Sequence, residues 1–131
     1  MKEKLTIGKL AQASGVGIET IRFYERKELI RQPKKQSSFR FYPPDLIERI
    51  KFIKRAQELG FTLKEVKELL DLKIKNQAKC SDVLDKTNKK ILEINEKIKD
   101  LKKMKKSLDG LAKCCRADDM PLSECPILEH F

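Results

Sequence analysis

Residues 80–115 read CSDVLDKTNKKILEINEKIKDLKKMKKSLDGLAKCC, a long charged stretch with one cysteine at its start and two at its end. Leu84, Ile91 and Ile98 recur at one heptad position, and Ile94, Leu101 and Leu108 at another. That period predicts a single helix from about Asp82 to Leu111, with a narrow apolar seam and Lys and Glu on the remaining faces. A seam this narrow on a helix this charged cannot be buried by the small core of its own chain. It calls for a partner helix, and a second copy is the simplest supplier. Lys105 interrupts the seam, and Gly110 weakens the helix just before Cys114-Cys115. At a rise of 1.5 Å per residue, Cys80 and Cys115 would lie roughly 50 Å apart. Thiols so separated cannot share an ion within one chain, but an antiparallel second copy would bring its Cys80 to this Cys115.

The rest of the chain is more basic. Residues 1–75 hold 18 Lys and Arg against 10 Asp and Glu, whereas residues 76–131 hold 12 against 10. A basic first half suggests a polyanion partner such as nucleic acid. The opening Met1-Lys2-Glu3-Lys4 leads into a mixed segment and not an apolar run, so no secretory signal is expected. No stretch approaches the ~18 apolar residues of a membrane span. The expected location is therefore the cytosol, where four cysteines in a small chain read as metal ligands or redox thiols before disulfides.

Upstream of the charged stretch, Lys73 to Lys79 reads as a polar connector. Before it, Thr62 with Glu65 forms a capping box for a helix whose face is Leu63, Val66, Leu69 and Leu70. A preceding helix starts at Pro44, carries Leu46, Ile47, Ile50, Ile53, Ala56 and Leu59, and ends at Gly60. Residues 32–44 have a different texture. Pro33 and Pro43-Pro44 bracket a polar turn, Lys34 to Ser38, followed by aromatics, which predicts a small hairpin with basic residues at its tip. At the front, Thr6 can cap a helix with face Ile7, Leu10 and Ala11, broken by Gly15. A second helix runs from Ile18 to about Lys27. Two short helices joined by a glycine turn make a helix-turn-helix, whose second helix enters the major groove.

Together these residues resemble the MerR family of bacterial transcription regulators, over nearly the whole chain. Thr6-Ile7-Gly8-Lys9-Leu10-Ala11 is similar to the family's first helix and Thr20-Ile21-Arg22-Phe23-Tyr24-Glu25-Arg26 to its recognition helix. Arg40-Phe41-Tyr42 matches the wing, and Leu59-Gly60-Phe61-Thr62-Leu63-Lys64-Glu65 the helix junction. Two departures stand out: Phe23 replaces the first tyrosine of the usual pair, and Ser38-Phe39 stands where the family shows Gly-Tyr. The resemblance implies a mainly α fold: a winged helix-turn-helix domain (residues 1–75), a long antiparallel dimerisation helix (76–112), and a C-terminal metal-binding loop and turn (113–131). It implies a homodimer on double-stranded promoter DNA. That dimer bends and undertwists the DNA on binding its effector so that bacterial RNA polymerase can use the promoter, at a deformation cost that depends on sequence. Arg22 is then expected at base edges or phosphate, and Tyr24, Arg40 and Tyr42 at phosphate oxygens. Lys9, Lys34 and Lys35 add counterion release.

The chain is expected to end before any larger C-terminal domain for drug-like ligands, which leaves metal and redox sensing. Cys80, then 34 residues, Cys115, then nine residues, Cys125, followed by Pro126-Ile127-Leu128-Glu129, resembles the metal-sensing branch. Three thiolates suit Hg(II) or Pb(II) as a trigonal set, or Cd(II) and Zn(II) with a fourth donor. Cys114, Asp118 or Asp119 are the candidates for that donor, ahead of the lone His130. Cysteine at position 80, where monovalent-copper sensors of the family carry serine, points to the divalent branch. The expected function is a metal-responsive activator of resistance or efflux genes. The alternatives are a thiol-redox regulator of the same fold and a monovalent copper-type sensor. Nothing in the sequence supplies a paired acid and base or a phosphate-cradling glycine loop, so no enzyme is expected.

Overall fold

In a computed structural model of the chain, residues 4–36, 39–115 and 121–131 are described. The molecule divides into two compact units, Met1–Val83 and Leu84–Phe131.

The first unit opens with helix α1 (Ile7–Ser14) and helix α2 (Ile18–Arg26). Thr6 caps α1 by accepting the Lys9 backbone N–H at 3.3 Å. Gly15 closes it at φ +71°, a left-handed conformation that a side chain would strain. The chain reverses there because the Val16 N–H turns back to the Ala11 carbonyl at 3.1 Å. After α2, Glu28 takes a φ of 60° and turns the chain so that Leu29 and Ile30 enter the core.

The wing is an antiparallel pair, β1 (Lys35–Gln36) and β2 (Phe39–Arg40), with Lys35 opposite Arg40 and Gln36 opposite Phe39. Lys35 and Gln36, expected in the polar turn, belong to the ladder. Ser38, where the sequence departs from its family pattern, lies outside the described residues. The wing is anchored by a further bridge, in which Leu5 and Tyr42 exchange N–H···O=C bonds of 2.8 and 2.7 Å.

Helix α3 (Asp45–Glu58) and helix α4 (Leu63–Ile74) complete this unit. Ile50, Ile53 and Ala56 of α3 are buried, while Leu46 and Ile47 pack at the core edge. Leu59, expected on the same face, is exposed, because the helix stops at Glu58 and Leu59 no longer follows the 3.6-residue period. The expected capping box opens α4. The Glu65 N–H donates to the Thr62 hydroxyl at 3.2 Å, and the Thr62 N–H to the Glu65 carboxylate at 2.8 Å. Leu10, Ile21, Ile50, Ile53 and Val66 are sealed from water. Each such side chain contributes about 1.5–3 kcal/mol of burial free energy.

Helix α5 (Cys80–Lys113) runs 34 residues without a break. It begins two residues before the expected Asp82, because the Asp82 carboxylate accepts the Lys79 N–H at 2.7 Å and secures the first turn. It continues past Gly110, which is tolerated within the helix. Leu84, Ile91, Ile94, Ile98, Leu101 and Leu108, the expected seam, are all exposed. Its buried residue is a charged one, Lys90, whose ammonium lies 2.7 Å from Glu93. Beyond it, Leu122–Glu124 makes a single 3-10 turn and α6 (Pro126–Glu129) a single helical turn that starts on proline.

Candidate DNA-binding face and metal-ligating cysteines

The side of the first unit where α2 meets the wing carries a hollow of about 240 Å³. Arg22, Glu25, Lys35, Phe39, Arg40 and Tyr42 line it. Three of the cations expected at DNA, from the recognition helix and from both wing strands, therefore converge on one concavity. Arg22 is exposed and lies 3.4 Å from Glu19, also exposed, so that pair contributes little and leaves the guanidinium available. Arg40 is half-buried, and its Nε–H is buried with no hydrogen-bond partner among the described residues. A buried cationic donor left open favours an anionic acceptor such as a phosphate oxygen. Lys9 and Lys34 are exposed but do not line this hollow.

The two tyrosines are situated otherwise than expected. Tyr24 is 2% exposed and donates its hydroxyl to the Gln57 side-chain oxygen at 2.8 Å. Tyr42 is 1% exposed, and its hydroxyl donates to both Glu25 carboxylate oxygens at 3.3 Å. Burial raises the Tyr24 phenol above its ordinary range. Burial first, and then the Glu25 carboxylate, push Tyr42 up to about 12. Both rings are core residues whose polar tips are already engaged within the protein. Their part at this face is to set its shape: Tyr42 joins the wing to α2 through Glu25, and Tyr24 joins α2 to α3 through Gln57.

Residues not singled out in the sequence complete the support. Arg49 donates from Nε to the Leu29 carbonyl at 2.8 Å, and the Lys54 ammonium donates to the Gly15 carbonyl at 3.0 Å. Helix α3 thus holds the helix-turn-helix at its turn, at Tyr24 and just past the end of α2. These partners lie 20 to 39 residues apart in sequence, so no local pattern reveals them.

The cysteines are all thiols. Cys80 is exposed at the first residue of α5, on the rim of a second hollow of about 390 Å³ floored by Phe52, Leu69, Leu72 and Val83. Cys114, Cys115 and Cys125 are half-buried. Cys114 donates its S–H to the Gly110 carbonyl at 3.4 Å. Asp118 and Asp119 lie outside the described residues. Among the described residues, no three Cys, His, Asp or Glu side chains gather where one ion would reach them. As a donor set, the four thiols suit a soft ion.

Comparison with known proteins identifies the chain. A family model described as MerR HTH family regulatory protein matches residues 5–73, and one described as MerR, DNA binding, matches residues 47–111. The chain belongs to the MerR family. It is a DNA-binding transcription regulator and not an enzyme. A mercuric resistance operon regulatory protein of Bacillus cereus is 44% identical over 127 residues, covering 96% of each chain. One of Shigella flexneri is 41% identical, covering 96% of this chain and 86% of its own. Among solved MerR structures, the regulator PbrR691 of Ralstonia metallidurans CH34 in complex with lead(II) superposes with a TM-score of 0.86 at 28% identity, over 95% of this chain and 97% of that one. The MerR regulator of Bacillus megaterium MB1 in complex with mercury(II) superposes with a TM-score of 0.70 at 42% identity, over 91% and 92%.

Proposed function

We propose that this MerR-family chain is a cytoplasmic, homodimeric activator of a metal-resistance operon. Its effector is a soft divalent ion, with Hg(II) ranked ahead of Pb(II), Cd(II) and Zn(II). The observation that carries the reading is the arrangement of the thiols. Cys80 starts a 34-residue helix, Cys115 and Cys125 lie beyond its far end, and no donor trio forms among the described residues. The site is therefore completed by a second copy, with Cys80 of one protomer joining Cys115 and Cys125 of the other. Bound there, the ion supplies a cross-link between subunits. Cys114, whose S–H is engaged by the Gly110 carbonyl, is left outside the set. Three thiolates satisfy Hg(II) without a fourth ligand, and the relatives named for mercuric resistance are more similar in sequence than the structure holding lead(II). No helix among the described residues is long and apolar enough to cross a membrane, which agrees with the proposed location.

The exposed apolar ridge of α5 supports the dimer, because pairing two such ridges removes them from water. Residues 1–75 would act as the DNA-binding domain, 76–112 as the dimerisation helix and 113–131 as the metal-binding loop and turn. In the dimer, Arg22, Lys35 and Arg40 hold phosphates of the promoter. The cross-link sets the spacing of the two DNA-binding domains. That spacing favours bent, undertwisted DNA that RNA polymerase can open, against a deformation cost of about 1–6 kcal/mol.

The test is titration of Hg(II), Pb(II), Cd(II) and Zn(II) into the reduced protein, alongside transcription in vitro from its own promoter. Expected is a saturable response, strongest for Hg(II) and lost in Cys80→Ser. Activation by oxidant with all metal chelated away would replace this reading with the thiol-redox one.

A further inference from the structure

The proposed metal trio leaves one thiol unused, and that thiol adjoins a member of it. Cys114 and Cys115 are consecutive thiols, just past Lys113, the last residue of α5. Their N–H groups turn back to the Leu111 and Ala112 carbonyls at 3.1 and 3.2 Å, so the helix tightens there before the chain leaves it. Cys114 donates its S–H to the Gly110 carbonyl at 3.4 Å, and a thiol is a weak donor that gives up such a bond readily. On the same helix face, a side chain begun at Gly110 would meet nothing within 4 Å among the described residues, so the approach is open. Lys113 and Arg116 flank the pair in the sequence and favour an anionic carrier.

Consecutive Cα atoms are about 3.8 Å apart, so two adjacent thiols of one chain can reach one ion without a partner subunit. The trio, by contrast, is complete only in the dimer. Mercury(II) is soft enough to be stable with two thiolates, and small thiols carry it in a reducing cytosol.

We propose that Cys114 and Cys115 form a capture site, which takes Hg(II) from a bis-thiolate carrier and passes it to the dimer-spanning trio. The inference rests on the reading of this chain as a mercury-responsive regulator and gives its spare thiol a role. The two thiols displace the two carrier thiols in turn. Each forms a sulfur–mercury bond, and its proton leaves with the departing carrier. Cys125 and Cys80 of the other protomer then add, and Cys114 departs. The two incoming thiols give up two protons, of which one goes to Cys114 and one to water. No electron changes hands, so neither oxidant nor reductant is needed. Because Cys115 belongs to both sets, the ion stays bound to the protein throughout the transfer.

The experiment mixes the full-length reduced protein with the Hg(II) bis-glutathione complex in excess glutathione. Loading is followed by stopped flow in the ultraviolet thiolate–mercury absorption. Cys114→Ser should reach the same amount of bound metal about tenfold more slowly, because the second exchange is no longer intramolecular at the capture pair. Serine still offers a donor to the Gly110 carbonyl, so slow loading reports the missing sulfur and not a lost hydrogen bond. Cys80→Ser combined with Cys125→Ser leaves Cys114 and Cys115 as the thiols of the chain. That double variant should retain one Hg(II) per chain with the spectrum of a two-coordinate ion, and adding Cys114→Ser should abolish the retention. Loading of Cys114→Ser at the rate of the unaltered protein overturns the proposal, as does a double variant that retains no Hg(II). If the unaltered protein takes up no Hg(II), the effector reading fails as well; if it loads and Cys114→Ser keeps pace, only the capture step fails.

Discussion

The first unit and helix α5 use similar residues to opposite ends. In the first unit, Leu10, Ile21, Ile50, Ile53 and Val66 are sealed from water. On α5, Ile91, Ile94, Ile98 and Leu101 are as apolar and stand exposed, and the buried residue there is Lys90. The difference lies in periodicity. In the first unit, short helices with broad apolar faces, α1 closed by Gly15 and α3 ending at Glu58, fold back on one another. Along α5 the apolar positions make a strip one heptad seam wide, with no stop for 34 residues. One region folds upon itself, and the other has an exposed apolar surface whose proposed complement is another copy.

The sharpest way to break that contrast is to charge the seam. Ile94→Asp combined with Leu101→Asp should convert the dimer to a monomer in sedimentation experiments at micromolar concentration. Each buried carboxylate would cost several kcal/mol at the interface. The circular dichroism of the first unit's helices and its binding to non-specific DNA should survive. A variant that remains dimeric would mean that α5 is not the dimer axis.

Next in size is the mirrored pair of truncations. Ile53→Ala opens a cavity in a sealed core and should cost about 2–5 kcal/mol in denaturant unfolding. On the monomeric background, Met104→Ala removes an equally apolar but exposed side chain. It should change stability by no more than about 0.5 kcal/mol. Equal effects at the two sites would erase the distinction between the regions.

The pH dependence separates them again. Tyr42 is neutral in the folded protein up to about 12, above the ordinary phenol value of 10.0. Between those values the folded state keeps a proton that the unfolded state has lost, so stability falls as pH rises from about 10 to 12 and is fully present below. Tyr42→Phe should flatten that alkaline loss in unfolding curves. No residue of α5 contributes a phenol, so the effect belongs to the wing and α2.

Much of this division is legible in the residues themselves. Thr6, Gly15 and the Thr62–Glu65 box announce helix ends through hydrogen bonds within three or four residues, and the seam shows at a fixed period. The tyrosines do not, since a phenol suits both a phosphate and a core with one polar partner. Only the fold, through Gln57 and Glu25, decides for Tyr24 and Tyr42. Arg49 and Lys54 read as surface charge on α3 until the carbonyls of Leu29 and Gly15 arrive beside them from distant sequence. The candidate metal site is hardest to read for another reason. Its proposed donors are Cys80 at the start of α5 and Cys115 and Cys125 past its end, so proximity within a single chain, the usual sign of a ligand set, is not expected.

The smallest expected effects concern how the two kinds of helix begin. Helix α4 has both bonds of a capping box, whereas α5 shows the Asp82 carboxylate accepting from Lys79. Thr62→Ala should lower stability by about 1 kcal/mol, read as a drop in Tm. Asp82→Ala should cost about 0.3–1 kcal/mol, through the lost bond and the lost negative charge at the positive end of the helix. The destinations of the two losses should differ. Thr62→Ala loosens a helix that supplies Val66 and Leu70 to a finished core, so its cost should be the same at any protein concentration. Asp82→Ala frays the turn that carries Cys80, so its main consequence should be weaker binding of the proposed metal, with the buried core of α1 to α4 left intact. Asp82→Ala with unaltered metal affinity would mean that Cys80 does not need the first turn of α5 to be held in place.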